Sequence, residues 1–229
     1  MSIPRTARLR ATAASLVAAL ALSGGLLAAS AAGGAESADA PTHAHAHTGT
    51  DVSAETALHR AMRTLWIQHM EWTYATVVAF AEDSPALGAT LDRLLRNQVD
   101  IGEAVAPFYG EDAAAQLTGL LTTHIELAVP VLTAAKAGDQ SALDSAVTAW
   151  YANAKDIADF LASANAEWPK RELRNMMAEH ITTTVDYAGK VLAGDHASAI
   201  VAYDAAEAHM IEMADMLSQG LIAQFPDRF

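Results

Sequence analysis

Three histidines, His69, His124 and His180, each stand fourteen or fifteen positions before an aspartate. Those aspartates, Asp83, Asp139 and Asp195, recur at equal intervals along the chain. Fourteen positions after each aspartate comes Asn97, Asn153 or His209, and three further on comes Asp100, Asp156 or Glu212. Imidazole and carboxylate are the side chains that hold first-row transition metals. If brought together, His69, His124, His180, His209 and Glu212 make a ligand set, with Asp100 and Asp156 as further ligands or anchors and Asn97 and Asn153 supporting them. Such a set suits Zn, Fe or Mn and extends to Cu(II). The competing reading is a buried polar layer that fixes helix register without a cofactor.

Self-similarity at a fixed period points to a repeated structural unit. From Val52 to Phe225 no stretch alternates apolar and polar residues over strand length, and alanine and leucine dominate. Turn signals divide this span into helices over roughly 53–81, 85–106, 111–136, 140–164, 170–192 and 196–223. In Ala137-Gly138-Asp139 and Ala193-Gly194-Asp195, glycine ends one helix and aspartate caps the next. Ala81-Glu82-Asp83-Ser84-Pro85 is expected to do the same, with proline in the first turn. The expected fold is an all-α six-helix bundle of three repeated antiparallel helical hairpins. The first unit is expected to be one residue shorter in its first helix.

Helix geometry then sets the heights of the polar residues. At ~1.5 Å per residue, the histidine and the Asn or His of each hairpin both lie ~21 Å from the turn. They share a level on antiparallel neighbours, and the acidic residue follows one turn away. Apolar positions repeat with them: Ile101, Ile157 and Met213 correspond, as do Val105, Leu161 and Leu217. Helical bundles build metal sites from such inward groups, and His209-x-x-Glu212 reverses the Glu-x-x-His order of di-iron bundles. Met177 and Met213 near His180 and His209 would add soft donors for Cu(I), although Met213 occupies the core position of Ile101 and Ile157.

Other residues carry less. Trp66, Trp72, Trp150 and Tyr151 could wall an organic ligand, but aromatic residues at helical spacing usually belong to a core. Pro130 should remove a backbone bond to Glu126 and bend its helix below His124. His59 and His196 read as surface residues, and Glu71, Glu103 and Glu126 as a solvated face. No phosphate loop, nucleophile elbow, His-Glu-x-x-His or cysteine zinc motif occurs.

Residues 1–31 read as a signal peptide: Arg5, Arg8 and Arg10 precede an apolar run from Ala11 to Ala29 and a small-residue stretch. An uncleaved anchor is the alternative, against which Gly24, Gly25 and several hydroxyl residues dilute the run. Residues 32–52 read as a disordered linker carrying His43, His45 and His47, an accessory site for Cu, Ni or Zn or a chance cluster. Residues 53–229 form the bundle. Loss of the three arginines lowers the basic count from 14 to 11 against 27 acidic residues, a formal charge of −16. That balance argues against nucleic acid and anionic membranes and suits a soluble, secreted or extracytoplasmic protein that attracts cations. With no cysteine, an exported chain depends on its core or on a bound ligand rather than on disulfides.

Phe108-Tyr109-Gly110, Asn153-Ala154 with Ile157-Ala158 and Phe160-Leu161, Tyr203-Asp204 with His209 and Met213-Ala214-Asp215, and Gln224-Phe225-Pro226 together resemble a group of uncharacterised exported bacterial all-helical proteins. The resemblance covers most of 62–229 and implies a fold but no mechanism. The chain is similar only in general style to hemerythrin-like and ferritin-like bundles, whose His-x-x-x-Glu, His-x-x-x-His and paired Glu-x-x-His patterns residues 53–229 lack. The expected function is transition-metal binding at mid-bundle, as sensor, store or carrier. The alternatives are a redox-active Fe or Mn enzyme acting on oxygen or peroxide, with Tyr74 and the tryptophans beside the metal, and an interaction domain without a cofactor.

Overall fold

Alanine, leucine and long polar side chains lose little freedom in a helix, and they make up most of the sequence between the turns. The computed structural model describes residues 52–229. It is all-helical: α1 Ala54–Ala81, α2 Leu87–Tyr109, α3 Glu111–Ala137, α4 Gln140–Ala164, α5 Lys170–Leu192 and α6 His196–Gln224, followed by one 3-10 turn, Pro226–Arg228. The expected signal segment, the linker, and His43, His45 and His47 lie outside the described residues.

The turns are where sequence and structure diverge. Asp139 and Asp195 cap α4 and α6 as expected, accepting from the backbone N–H of Ala142 and Ser198 at 3.0 and 3.2 Å. Asp83 does not cap α2. It adopts φ 52°, the left-handed position that Gly138 (φ 69°) and Gly194 (φ 75°) hold in the other two turns. Ser84, not Asp83, then matches the capping aspartates. The N–H groups of Ser84, Asp139 and Asp195 each reach back to the carbonyl five positions earlier, on Ala79, Ala134 and Lys190. Measured to this shared bond, the interval from histidine to turn is the same after α1, α3 and α5, so the missing residue falls after the first turn rather than in α1. Helix α2 accordingly starts at Leu87, past Pro85, and runs through Pro107 to Tyr109. Helix α3 continues unbroken through Pro130.

Each helix packs on its neighbours in sequence, and α6 returns to α1, so the six form a closed ring. Helices α1, α3 and α5 also touch one another across its middle. Ile101, Ile157 and Met213 are buried, as are Val105, Leu161 and Leu217. Helix α3 is long and apolar enough by length and composition to cross a membrane; in this fold it packs in the ring. Buried Asn165 ties three elements together, its amide N–H group donating to Tyr109 Oη on α2 (3.1 Å) and to the Gly220 carbonyl on α6 (2.9 Å). Gly220 is required there, because a Cβ would stand 2.0 Å from Trp168 Nε1.

Candidate metal centre

The three odd-numbered helices each bring one histidine to the middle of the ring. His69, His124 and His180 are buried, with only 2–3% of their surface exposed. The His180 ring lies between the others: ring centres are 5.6 Å apart for His69–His180 and 5.8 Å for His124–His180. Trp66 packs edge-on against His69, and Trp150 lies beside His124, with its indole N–H donating to the His124 carbonyl at 2.9 Å.

The even-numbered helices hold this arrangement from behind. The Asn97 amide donates to the Leu65 carbonyl (3.1 Å), the Asn153 amide to the Leu120 carbonyl (3.2 Å), and His209 Nε2 to the Met176 carbonyl (2.9 Å). Each acceptor is four positions before the buried histidine on the same helix. Asn153 has a second role. Its Nδ2 faces the Leu120 carbonyl, so Oδ1 accepts from His124 Nδ1–H at 2.8 Å. The His124 proton is thereby fixed on Nδ1 and the Nε2 lone pair is free. That Nε2 is buried without a partner, as is His180 Nδ1. Around His69 the two tasks are divided between neighbouring residues of α2. Asn97 reaches the backbone, while Gln98 Nε2 donates to the Leu94 carbonyl at 2.8 Å and stands 3.3 Å from His69 Nδ1.

Burial in an apolar centre disfavours the charged imidazolium. It holds His69 down to about 3, helped by the neighbouring His124. His124 is lowered to about 4 by burial, partly offset by Asn153. His180 is pushed well below the usual histidine range by burial, then by His69, His124 and His209. All three rings are neutral at physiological pH, the form in which imidazole coordinates metal.

The carboxylates expected in the layer do not join it. Asp156 and Glu212 are exposed. Asp100 faces outward to Arg96 (2.8 Å) and Arg93 (3.5 Å). A step of three residues turns about 60° around a helix. From a position at the core boundary, that step carries a carboxylate to water, where its charge costs little. His209 is buried, but its Nε2 proton is committed to Met176, and Nδ1 lies 3.8 Å from exposed Glu179. It therefore stands in for asparagine rather than completing the triad. Among the described residues, no three His, Asp or Glu side chains stand within direct coordinating distance of one point. Trp72 lies under the Arg93 guanidinium and Tyr151 bonds Thr182, so neither walls the histidines.

Gln98 and the threonines at this level were not anticipated. Gln98 had a signal, since it follows His69 at the same interval that separates Asn153 from His124. No protein-family model, no curated protein and no solved structure matches this chain.

Proposed function

We propose that His69, His124 and His180 are the donors for one transition-metal ion, and that the protein is an exported metal-binding bundle acting as sensor, store or carrier. The carrying observation is the convergence of three neutral imidazoles, two of them with a buried, unpartnered ring nitrogen. Leaving such an acceptor unpaired costs about 1–3 kcal/mol, and a bound ion removes that cost. Two imidazoles sharing a tetrahedral ion at about 2.0–2.1 Å bring their ring centres roughly 5 Å apart. The observed 5.6 and 5.8 Å need an inward shift of less than an ångström for these two pairs, while His69 and His124, on either side of His180, must also close on each other. The Asn153–His124 bond is the outer support that metal-bound histidines generally have. At His69, Gln98 Nε2 donates to the Leu94 carbonyl and faces Nδ1, so His69 coordinates only by giving up the Gln98 contact or its Nε2 proton. An all-imidazole set favours Zn, Cu or Fe over Mn, which prefers oxygen donors.

We also infer that the bundle is three copies of one hairpin. Its support is the set of equivalent bonds to Leu65, Leu120 and Met176, and the matching turn bonds of Ser84, Asp139 and Asp195. A second reading, in which the histidines fix register and bind nothing, draws on the lack of a ready coordinating cluster among the described residues.

Bound metal per chain decides between them. Mature protein loaded with Zn(II), Fe(II) or Cu(I) and freed of excess is expected to retain one equivalent of its preferred ion. His124→Ala and His180→Ala should lose it, while Asp156→Ala and Glu212→Ala should keep it. Equal metal in all five proteins sinks the site. Under the register reading none binds, and His180→Leu raises the melting temperature by removing an unpaired polar atom.

A further inference from the structure

One side of the histidine triad opens on a cavity of about 50 Å³ lined by α1, α2, α3, α5 and, through Trp150, α4. Beyond the imidazoles and the Trp150 indole its wall is mostly aliphatic, with Val77, Leu94, Ile125, Ala128, Val185 and Ala188 among the lining groups. Three threonines also line it, yet none offers a free hydroxyl. Thr73, Thr76 and Thr184 donate to the carbonyls of His69, Trp72 and His180 at 2.6, 2.7 and 2.7 Å, each on its own helix four positions back. The other polar groups on the wall are the three histidines and the Trp150 indole N–H, which is committed to the His124 carbonyl. A charged molecule would lose its hydration here and find only the imidazole nitrogens to replace it. The volume is well below the ~150 Å³ of an apolar cavity that admits benzene, but it exceeds what one water needs. Val129, part of the wall, is 42% exposed, so the cavity has a rim at the surface of α3.

We infer that this cavity binds a small uncharged molecule of the size of dioxygen or carbon monoxide, and brings it to the imidazoles. This rests on the proposed metal site for the molecule's destination: three protein donors leave a tetrahedral ion one open position, and the cavity is the apolar approach to it. The cavity itself stands independently of any ion.

Xenon and carbon monoxide are the probes. In metal-free mature protein, the ¹²⁹Xe chemical shift should respond saturably to protein, and Ala188→Leu should weaken that binding at least tenfold. Val129→Phe, at the exposed rim and safe for folding, should slow xenon exchange. In Cu(I)-loaded protein, carbon monoxide should give a bound-CO infrared band that Ala188→Leu removes at unchanged copper content. No saturable xenon response in the folded wild type overturns the inference, as does copper uptake without any CO band. Saturable xenon binding in a protein that takes up no metal supports the cavity and removes the metal site instead.

Discussion

At the residue scale, the second nitrogen of each histidine decides what the triad can hold. Asn153 orients His124 through Nδ1 and leaves Nε2 unpartnered, while at His180 the unpartnered nitrogen is Nδ1. Asn153→Leu should therefore weaken metal binding about 10–100-fold while leaving the stoichiometry at one, as read by competition titration. Acid gives a second expectation. The unfolded chain takes up protons on these histidines near pH 6.5, whereas folded His69 and His124 resist until about 3 and 4. Their contribution is thus intact above pH 6.5 and declines as pH falls toward the folded values. At pH 5 the loss is about 2 kcal/mol for each of these two, seen in urea titrations of metal-free protein. A His69→Leu/His124→Leu variant should lose most of that slope, and an unchanged slope contradicts the burial argument. The convergence of the histidines was legible in their equal distance from the turns. The fate of the carboxylates was not. Spacing places a residue along a helix, but the rotation that separates Asn153 from exposed Asp156 decides whether it meets the core or water.

At the scale of elements, helices were legible because propensity, capping and apolar spacing agree over long spans. The first turn misled because an aspartate there occupies the left-handed position rather than the cap. Period counting keyed on identical residue types aligned Asp83 with Asp139, whereas backbone hydrogen bonds align Ser84 with it. Glycines at different places in these elements should respond oppositely to substitution. Gly138 has φ 69° with open space around its missing Cβ, so Gly138→Ala meets pure backbone strain. It should destabilise by about 1 kcal/mol. Gly119 is exposed within α3 with equal room, so its replacement gains helix propensity without a clash. Gly119→Ala should stabilise by up to about 1 kcal/mol. Denaturant midpoints measure both, and the same sign for both contradicts the assignment of the turn.

At the scale of the whole molecule, the closed ring lets α1, α3 and α5 meet and so turns three distant histidines into neighbours. That α1, α3 and α5 meet across the ring is a matter of packing between distant helices, which no single helix pattern records. Because an ion would bridge three helices, its binding should act on global stability. A hundredfold excess over the dissociation constant adds about 2.7 kcal/mol, and a chelator should lower the melting temperature accordingly. Unchanged melting after verified metal removal would mean that the triad's stability owes nothing to an ion. The most direct test of the central claim is X-ray absorption at the edge of the retained metal. Three imidazole nitrogens at about 2.0–2.1 Å, reduced by one in His180→Ala if the weakened site still holds the ion, is the predicted shell. A shell of oxygens alone, or one that does not change with His180, contradicts it.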